Sequence, residues 1–482
     1  MKKITTIKLF GFVAFAILFS WEAKAQYNIT LQIAGSEDSV MYLGRYYLNG
    51  TYALDTAQSK KGKFVFKNPK RVFEDGIYFF SNPSGKYFEF IMDKDQDFTL
   101  LTNQKNWTQY MKVKGSDCNA RYFAYMQASS ALEKQMKEIS IQKSSMDKAV
   151  FDSKAAQLRV QNDSLKIAYI KNNPQDLLSK VFEATKSIDV PQSKVIYKAD
   201  GVSKDSLAIQ RAEYDWYLHH YFDNMDLSCS GLLFTPKGVF YDYYNRYWDE
   251  QLKYQTIDSI FALASYWIDK TQNNPLMFRY WLHDITERYL QSPYMGQDEI
   301  YVKLIDKYFA TGKAIWMSPT DVEKEVVRAE KWSHSSLKKQ VPDLICPDKS
   351  GIMQSLYAMR SKYKILIFWA YDCGHCAVEV PKFYKFYKEN KDKYDLSVMA
   401  VNSAPDTIQW QESIKKHGFE QDDRWFNVNG LIANYDWHEY FDLDVTPVIF
   451  ILDSDNRIIG KKVKGDNIEK YLELYDQGKI KF

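Results

Sequence analysis

Cysteine is scarce in this chain: five among 482 residues. So few thiols exclude a fold held by a disulfide framework. Five is odd, so at least one thiol stays unpaired if Cys373 and Cys376 bond each other. Charge of one sign is lacking too. The net charge is +3 and the positive residues are scattered, which argues against a surface that tracks a phosphate backbone. No H-E-x-x-H and no second closely spaced Cys pair occurs, so a zinc site is not indicated. His219 and His220 are adjacent, face different directions on a helix and read as structural. After the N-terminal stretch, no segment is apolar enough to span a membrane.

What is present begins with Phe368-Trp369-Ala370-Tyr371-Asp372-Cys373-Gly374-His375-Cys376. The segment follows the apolar run Ile365–Phe368 and opens a stretch of helical character. A strand, a tight turn and a helix start carrying Cys-x-x-Cys form the layout of a dithiol–disulfide centre. Two intervening residues let the sulfurs meet in one bond, and the first thiol can sit at the positive end of the helix dipole.

The N-terminus carries a second signal. Lys2, Lys3 and Lys8 form a basic region, Leu9–Phe19 is apolar, and Ala23-Lys24-Ala25 precedes Gln26. This predicts a secretory signal peptide over residues 1–25, cleaved after Ala25. The competing reading is a retained membrane anchor, for which the apolar stretch is short, since a spanning helix needs about 20 residues. No Cys lies near the cleavage site, which argues against a lipoprotein anchor. The expected location is the periplasm or cell envelope, with no stable membrane span after cleavage.

The remaining chain divides by pattern. Residues 26–115 alternate in short apolar runs (Tyr27–Ile33, Val40–Tyr47, Lys63–Phe66, Ile77–Phe80, Tyr87–Met92, Asp97–Leu101) separated by Asn49-Gly50, Lys61-Gly62, Asp75-Gly76 and Pro83-Ser84-Gly85. They predict a small all-β sandwich or barrel with a structural or docking role. Residues 116–335 show helical periodicity, with Pro191, Pro236, Pro275, Pro293 and Pro319 at loops or first turns; they predict an all-α region of about eight helices. Residues 336–482 alternate strands (Lys364–Trp369, Leu396–Asn402, Val448–Leu452) with helices (Val378–Lys391, Pro405–Lys416), an α/β rhythm that implies a sheet with parallel pairs and helices on its faces. Aromatic residues make up 16% of the chain, which reads as an aromatic-rich core and surface.

Residues 341–482 resemble the thioredoxin-like domain of the TlpA/ResA type, the extracytoplasmic thiol–disulfide oxidoreductases. The matching pieces are Pro342-Asp343-Leu344, Phe368-Trp369-Ala370, Cys373-Gly374-His375-Cys376, Glu379, Pro381 and Val445-Thr446-Pro447. More loosely, the preceding segments resemble β and α-helical modules of Gram-negative envelope proteins. The resemblance implies that Cys373 is the nucleophile and Cys376 the resolving thiol of a redox-active disulfide. Pro447 would be a cis-proline beside the sulfurs, with Thr446 exposing backbone to a substrate strand. Trp369, Gly374 and His375 would tune the site; Cys-Gly-His-Cys also resembles the active site of protein disulfide isomerase. Cytoplasmic thioredoxins carry a buried Asp two residues before the Trp. Here that position is Ile367, so Glu379 becomes the candidate proton acceptor. Pro381 lies inside the helical pattern and fits a kink. The implied partners are cysteine-containing envelope proteins and an upstream membrane thiol–disulfide carrier. Neither a cofactor nor nucleic acid is implied.

Three other readings are open to the same residues. A peroxiredoxin needs Pro and Thr or Ser shortly before its reactive Cys, and Phe-Trp-Ala-Tyr-Asp precedes Cys373. A non-catalytic envelope binding protein, with residues before 336 doing the work, is disfavoured by the intact dithiol and Thr446-Pro447. Haem attachment would need His at 377, which is Ala. Cys118, Cys229 and Cys346 read as isolated small apolar residues; Cys346, in the loop leading into the last domain, is also placed to form a mixed disulfide.

Overall fold

The computed structural model describes residues 27–419, 422–441, 443, 445–463 and 465–480. The signal-peptide reading of residues 1–25 lies outside them. The described chain forms two compact units. One holds the residues up to Ser187 together with Asn224–Tyr244; the other holds Ile188–Asp223 and everything from Asn245 onward.

The first unit begins with β1 (Tyr27–Ala34), β2 (Val40–Tyr47), β3 (Gly50–Gln58), β4 (Lys63–Asn68), β5 (Gly76–Ser81), β6 (Tyr87–Met92), β7 (Asp97–Asn103) and β8 (Lys112–Lys114). They form two four-stranded sheets, ordered β4-β1-β7-β8 and β3-β2-β5-β6. Alternation along β1 buries Ile29, Leu31 and Ile33, as a strand with one face on a core requires. Phe66 of one sheet meets Phe80 of the other at 4.9 Å between ring centroids, and Phe90 meets Phe98 at 5.9 Å. Aromatic residues thus join the facing sheets of a sandwich. The helices α1 (Asp117–Ile141) and α2 (Lys148–Asn172) form an antiparallel hairpin, since Tyr125 packs on Tyr169 and Ser129 bonds Asn162. Buried Asn119 fixes α1 to β6 by exchanging hydrogen bonds with the Ile91 backbone at 2.8 and 2.7 Å. Asp176, just before α3 (Leu177–Ala184), takes a two-pronged bond from Arg121 at 2.8 and 2.7 Å and another from Tyr169 at 2.9 Å.

The second unit contains α4 (Ser206–His220) and the end of α5 (Tyr241–Arg246). It then contains α6 (Ile257–Lys270), α7 (Pro275–Leu290), α8 (Asp298–Leu304) and α9 (Pro319–His334). Asn274 and Ser318 cap α7 and α9 with Pro275 and Pro319 next to them. There a missing N–H costs nothing, so these prolines start helices. His219 and His220 each bond the backbone carbonyl four residues back, at 2.8 and 2.7 Å, and His220 stacks on Trp216. Trp267 donates to Tyr247 at 3.0 Å, and Tyr247 to the Leu218 carbonyl at 2.9 Å, which satisfies two buried polar groups among aromatic rings.

After a short hairpin of β9 (Ile345–Pro347) and β10 (Met353–Ser355) comes a five-stranded sheet. Its strands are β11 (Tyr363–Trp369), β12 (Leu396–Asn402), β13 (Trp425–Asn429), β14 (Val448–Leu452) and β15 (Ile458–Lys461). The order is β13-β12-β11-β14-β15. The β11–β12 and β12–β13 pairs are parallel; β14 and β15 run antiparallel. The other elements are α10 (Gly374–Asn390), α11 (Thr407–His417), α12 (Trp437–Phe441) and α13 (Ile468–Asp476). All seven residues of β11 are buried. Ile365, Ile367 and Trp369 face a core with Val380 and Phe383 of α10 and Leu472 of α13. Leu366 and Phe368 face the opposite core with Leu344, Trp437 and Phe441. Covering both faces in this way explains the unbroken apolar runs.

Candidate active site

The parallel strands β11, β12 and β13 end at one edge of the sheet, where β14 begins: Trp369 lies opposite Asn402, and Phe368 opposite Val448. Loops at such an edge are free to carry chemistry because the strands beneath are fixed. The turn after Trp369 is held by the Cys373 N–H bonding the Ala370 carbonyl at 3.3 Å.

Cys373 is the N-cap of α10. Its Sγ accepts the Cys376 N–H at 3.2 Å. The same thiol donates to the Thr446 carbonyl at 3.3 Å, and the Thr446-Pro447 peptide bond is cis. Residues 373, 376 and 446, distant in the chain, therefore share one site. Both sulfurs are free thiols. Burial alone would raise the Cys373 thiol. Hydrogen bonding to the sulfur from the side chains of Cys376 and Thr446 and from the backbone N–H groups of Cys376 and His375 outweighs it and brings the thiol below its ordinary value. Cys376 is 1% exposed, and burial, then its bond to Cys373, push it up to about 12. One sulfur is thus a half-buried thiol that ionises more readily than an ordinary cysteine, and the other a shielded thiol that ionises less readily.

The neighbouring residues differ in what they contribute. Trp369 is buried with its ring edge-on to Phe419 at 5.7 Å. Gly374 and His375 are exposed in the first turn of α10, and His375 acts on Cys373 through its backbone. Glu379 is half-buried and its carboxylate bonds Lys382 at 2.9 Å. The largest influences on Cys376 are burial, Cys373, Thr446 and the Ala370 backbone, so Glu379 is engaged elsewhere in this arrangement. Pro381 sits inside α10. Ile367 is fully buried in the apolar core. Cys346 is buried and its thiol is raised by burial to about 12, and Cys229 by burial to about 11. Ser403 was not among the residues the sequence marks. It donates to the Trp369 carbonyl from its backbone at 2.9 Å and its hydroxyl at 3.1 Å, and so ties the loop after β12 to the start of the Cys373 turn. Its place just beyond the C-terminal end of a predicted parallel strand is the signal that points to it.

A dithiol capping a helix, on a turn from the central strand of such a sheet and against an X-Pro loop, is the arrangement of a thioredoxin-like domain, able to exchange thiols with a disulfide. The thioredoxin-like family matches residues 361–458. A domain of unknown function (DUF4369) matches residues 27–122. No curated protein matches the chain. Among solved structures, the chain is similar to a domain of a possible thiol-disulfide isomerase from Cytophaga hutchinsonii, at 32% identity. The match covers 30% of this chain and 94% of that one, with a TM-score of 0.28. It is also similar to a thioredoxin-like protein from Bacteroides caccae at 16% identity, over 60% of this chain and 99% of that one, TM-score 0.44. A thiol:disulfide interchange protein from Bacteroides sp. is 22% identical over 30% of this chain and 91% of that one, TM-score 0.27.

The asymmetry of the two sulfurs has a direct readout. Brief iodoacetamide labelling of the reduced protein near neutral pH is expected to modify Cys373 and spare Cys376, as mapped by mass spectrometry. The thiolate is the reacting species. A thiol held below its ordinary value therefore labels faster near neutral pH than an ordinary cysteine, and its rate profile inflects at lower pH. Labelling of Cys376 first would reverse the assignment of roles.

Proposed function

We propose that this protein is a thiol–disulfide oxidoreductase acting on cysteines of cell-envelope proteins. The observation that carries the reading is the pairing of a stabilised Cys373 sulfur at the start of α10 with a buried, high-pKa Cys376 one turn behind it. In the reducing direction, the Cys373 thiolate attacks one sulfur of a substrate disulfide. The substrate S–S bond breaks, a Cys373–substrate bond forms, and the departing substrate thiolate takes a proton. Cys376 then loses its proton and attacks Cys373 Sγ. That step releases the second substrate thiolate and leaves the Cys373–Cys376 disulfide, two electrons having passed to the substrate. The reverse sequence oxidises a substrate dithiol. Thr446, whose carbonyl already bonds Cys373 Sγ, offers backbone to an extended substrate segment. Glu379, once released from Lys382, is the nearest carboxylate on the helix to serve the proton transfer. An envelope location is supported by the N-terminal sequence pattern, and an upstream membrane carrier would return the pair to its working redox state.

The test is trapping. Cys376→Ser removes the resolving step, so mixed disulfides through Cys373 are expected to accumulate and appear as reducible adducts on non-reducing gels of envelope extracts. Absence of adducts, together with no insulin reduction by the unmodified protein, would overturn the reading. The reduction potential sets direction: about −270 mV, as in thioredoxin, marks a reductase, and about −180 mV, as in disulfide isomerase, marks an oxidant or isomerase.

A further inference from the structure

The two sheets of the first unit present different outer faces. On β1 and β4 the outward positions are Asn28, Thr30 and Gln32 beside Lys63, Val65 and Lys67, the mostly polar pattern of a solvated sheet. On the other sheet they are aromatic. Tyr42, Gly44 and Tyr46 alternate along β2, Gly44 stands opposite Phe79 of β5, and Phe79 stands opposite Glu89 of β6, two residues from Tyr87. A Cβ at Gly44 would strike the Phe79 ring, so the glycine lets that ring lie across the strand. Tyr46 and Phe79 are 5.2 Å apart between centroids and inclined at 52°; Phe79 and Tyr87 are 6.3 Å apart at 75°. Rings so inclined make walls rather than the level platform on which a sugar ring stacks.

The polar groups among these walls lack a cation. Glu89 is half-buried, and its Oε1 accepts from the Tyr46 hydroxyl at 2.7 Å. No Lys or Arg pairs with Glu89, and none lies over Tyr46, Phe79 or Tyr87, among the described residues. Lys86, next in sequence to Tyr87, is turned to the Trp107 ring and the Gln104 carbonyl. A second group points the same way. Tyr122, near the start of α1, is 4% exposed, yet its hydroxyl keeps an opening to solvent and meets no hydrogen-bond partner among the described residues. Burial first and then the Glu89 charge hold that hydroxyl above the ordinary tyrosine value, and Tyr87 and Tyr122 both act on Tyr46. The phenols therefore stay neutral around one carboxylate. A half-buried negative charge beside the negative faces of three rings is complementary to a cation.

We propose that this face of the sandwich holds the ammonium group of a lysine side chain from a partner polypeptide: the cation against Tyr46, Phe79 and Tyr87, its N–H groups on Glu89 Oε2 and the Tyr122 hydroxyl. One free carboxylate oxygen suits the point charge of an ammonium better than the two-pronged fork of a guanidinium. Tyr87 is 58% exposed, so the rings form an open cage. An open cage takes the tip of a tethered side chain, whereas a free amine needs most of its surface enclosed. Saturation-transfer NMR titration of the whole chain with a capped pentapeptide carrying one central lysine, its ε-acetylated form, butylammonium and cellobiose tests the site. Saturable binding of the lysine peptide is expected, weakened about tenfold or more by ε-acetylation and by Glu89→Gln, as loss of a charge-assisted hydrogen bond requires. Tyr87→Ala, at an exposed position, should weaken it about threefold or more through the lost cation–π contact, with thermal unfolding unchanged. Tyr122→Phe, which removes one oxygen and keeps the buried ring, should weaken it by about two- to threefold. Butylammonium should bind more weakly than the peptide, and cellobiose should not bind. Equal affinity for the lysine and acetyl-lysine peptides, no effect of Glu89→Gln or of Tyr87→Ala, tighter binding of butylammonium, saturable binding of cellobiose, or no binding of the peptide up to millimolar concentration each overturns the proposal. The exchange activity of Cys373 does not enter these readings.

Discussion

Cys373→Ser is expected to lower the rate of insulin-disulfide reduction by on the order of 10⁴-fold or more, to the uncatalysed background, since loss of a nucleophile removes the whole covalent route. The change is nearly isosteric, and serine can still accept the Cys376 N–H at the helix cap, so thermal unfolding should barely move. What disappears is the thiolate. A serine hydroxyl is not ionised near neutral pH, and hydrogen bonds from Cys376, Thr446 and the helix N–H groups cannot make it so. The other cysteines supply the contrast. Cys346 is fully buried and its thiol is raised to about 12 by burial; Cys118 is buried and raised further, by burial first and then by Asp93 and Asp176. Serine at 118, 229 or 346 is therefore expected to leave the rate within about twofold of the parent, because buried structural thiols are inert. Activity in Cys373→Ser above a tenth of the parent rate would show that another group attacks the disulfide.

The dithiol was legible because its signal is local: strand, turn and helix follow one another within a dozen residues. Thr446-Pro447 was legible only through family resemblance, since nothing in its own spacing says that β14 begins beside β11. The structure supplies that link as Phe368 opposite Val448. Electrostatic detail was less readable. The spacing that puts Glu379 one turn after Cys376 does not reveal the Lys382 partner on the same helix, and His375 acts through its backbone rather than its ring. Nor does periodicity reveal the start of α10. Apolar repetition begins at Val378, whereas the helix begins at Gly374 because the Cys373 sulfur caps it.

Elsewhere the same division holds between local pattern and tertiary context. The sequence pattern predicts the strands Val40–Tyr47, Tyr87–Met92, Leu396–Asn402 and Val448–Leu452 with their observed ends, since each carries a clear apolar run. β3 (Gly50–Gln58) carried none: it is an edge strand with mostly exposed side chains, so its ladder with β2 decides its conformation. α3 and α12 are short and amphipathic only against partners that the sequence does not specify. The ion pair below joins residues 163 apart in the chain, and no window of sequence shows it.

The second large effect concerns Lys461, at the end of the edge strand β15. It is 4% exposed, and its ammonium donates to Asp298 at 2.6 Å. Burial is the largest influence and pulls Lys461 below the ordinary lysine value; Asp298 acts against it. Asp298 stands in the first turn of α8, where the helix dipole favours a carboxylate, and the Lys461 backbone N–H bonds Met295 Sδ at 3.4 Å just before it. The segment before α8 thus covers the open edge of the sheet and supplies the counter-charge for the one strand that ends there in a buried lysine. Asp298→Ala removes the opposing influence alone and leaves an uncompensated buried charge, so it should destabilise this unit by about 3–5 kcal/mol. Replacing both partners, as Lys461→Met with Asp298→Leu, removes the charge and the need for it, and should recover most of that loss. The sign of the pH dependence follows. In Asp298→Ala the folded state holds Lys461 still further below its unfolded value, so the variant's deficit is full while Lys461 is charged in both folded proteins and shrinks as the pH rises from the variant's folded-state value to the parent's. Denaturant melts of the parent, Asp298→Ala and the double variant, at neutral pH and near pH 10, test both expectations. A deficit under about 1 kcal/mol for Asp298→Ala, or one that grows with pH, would show that water already reaches Lys461 and that the pair is a surface contact.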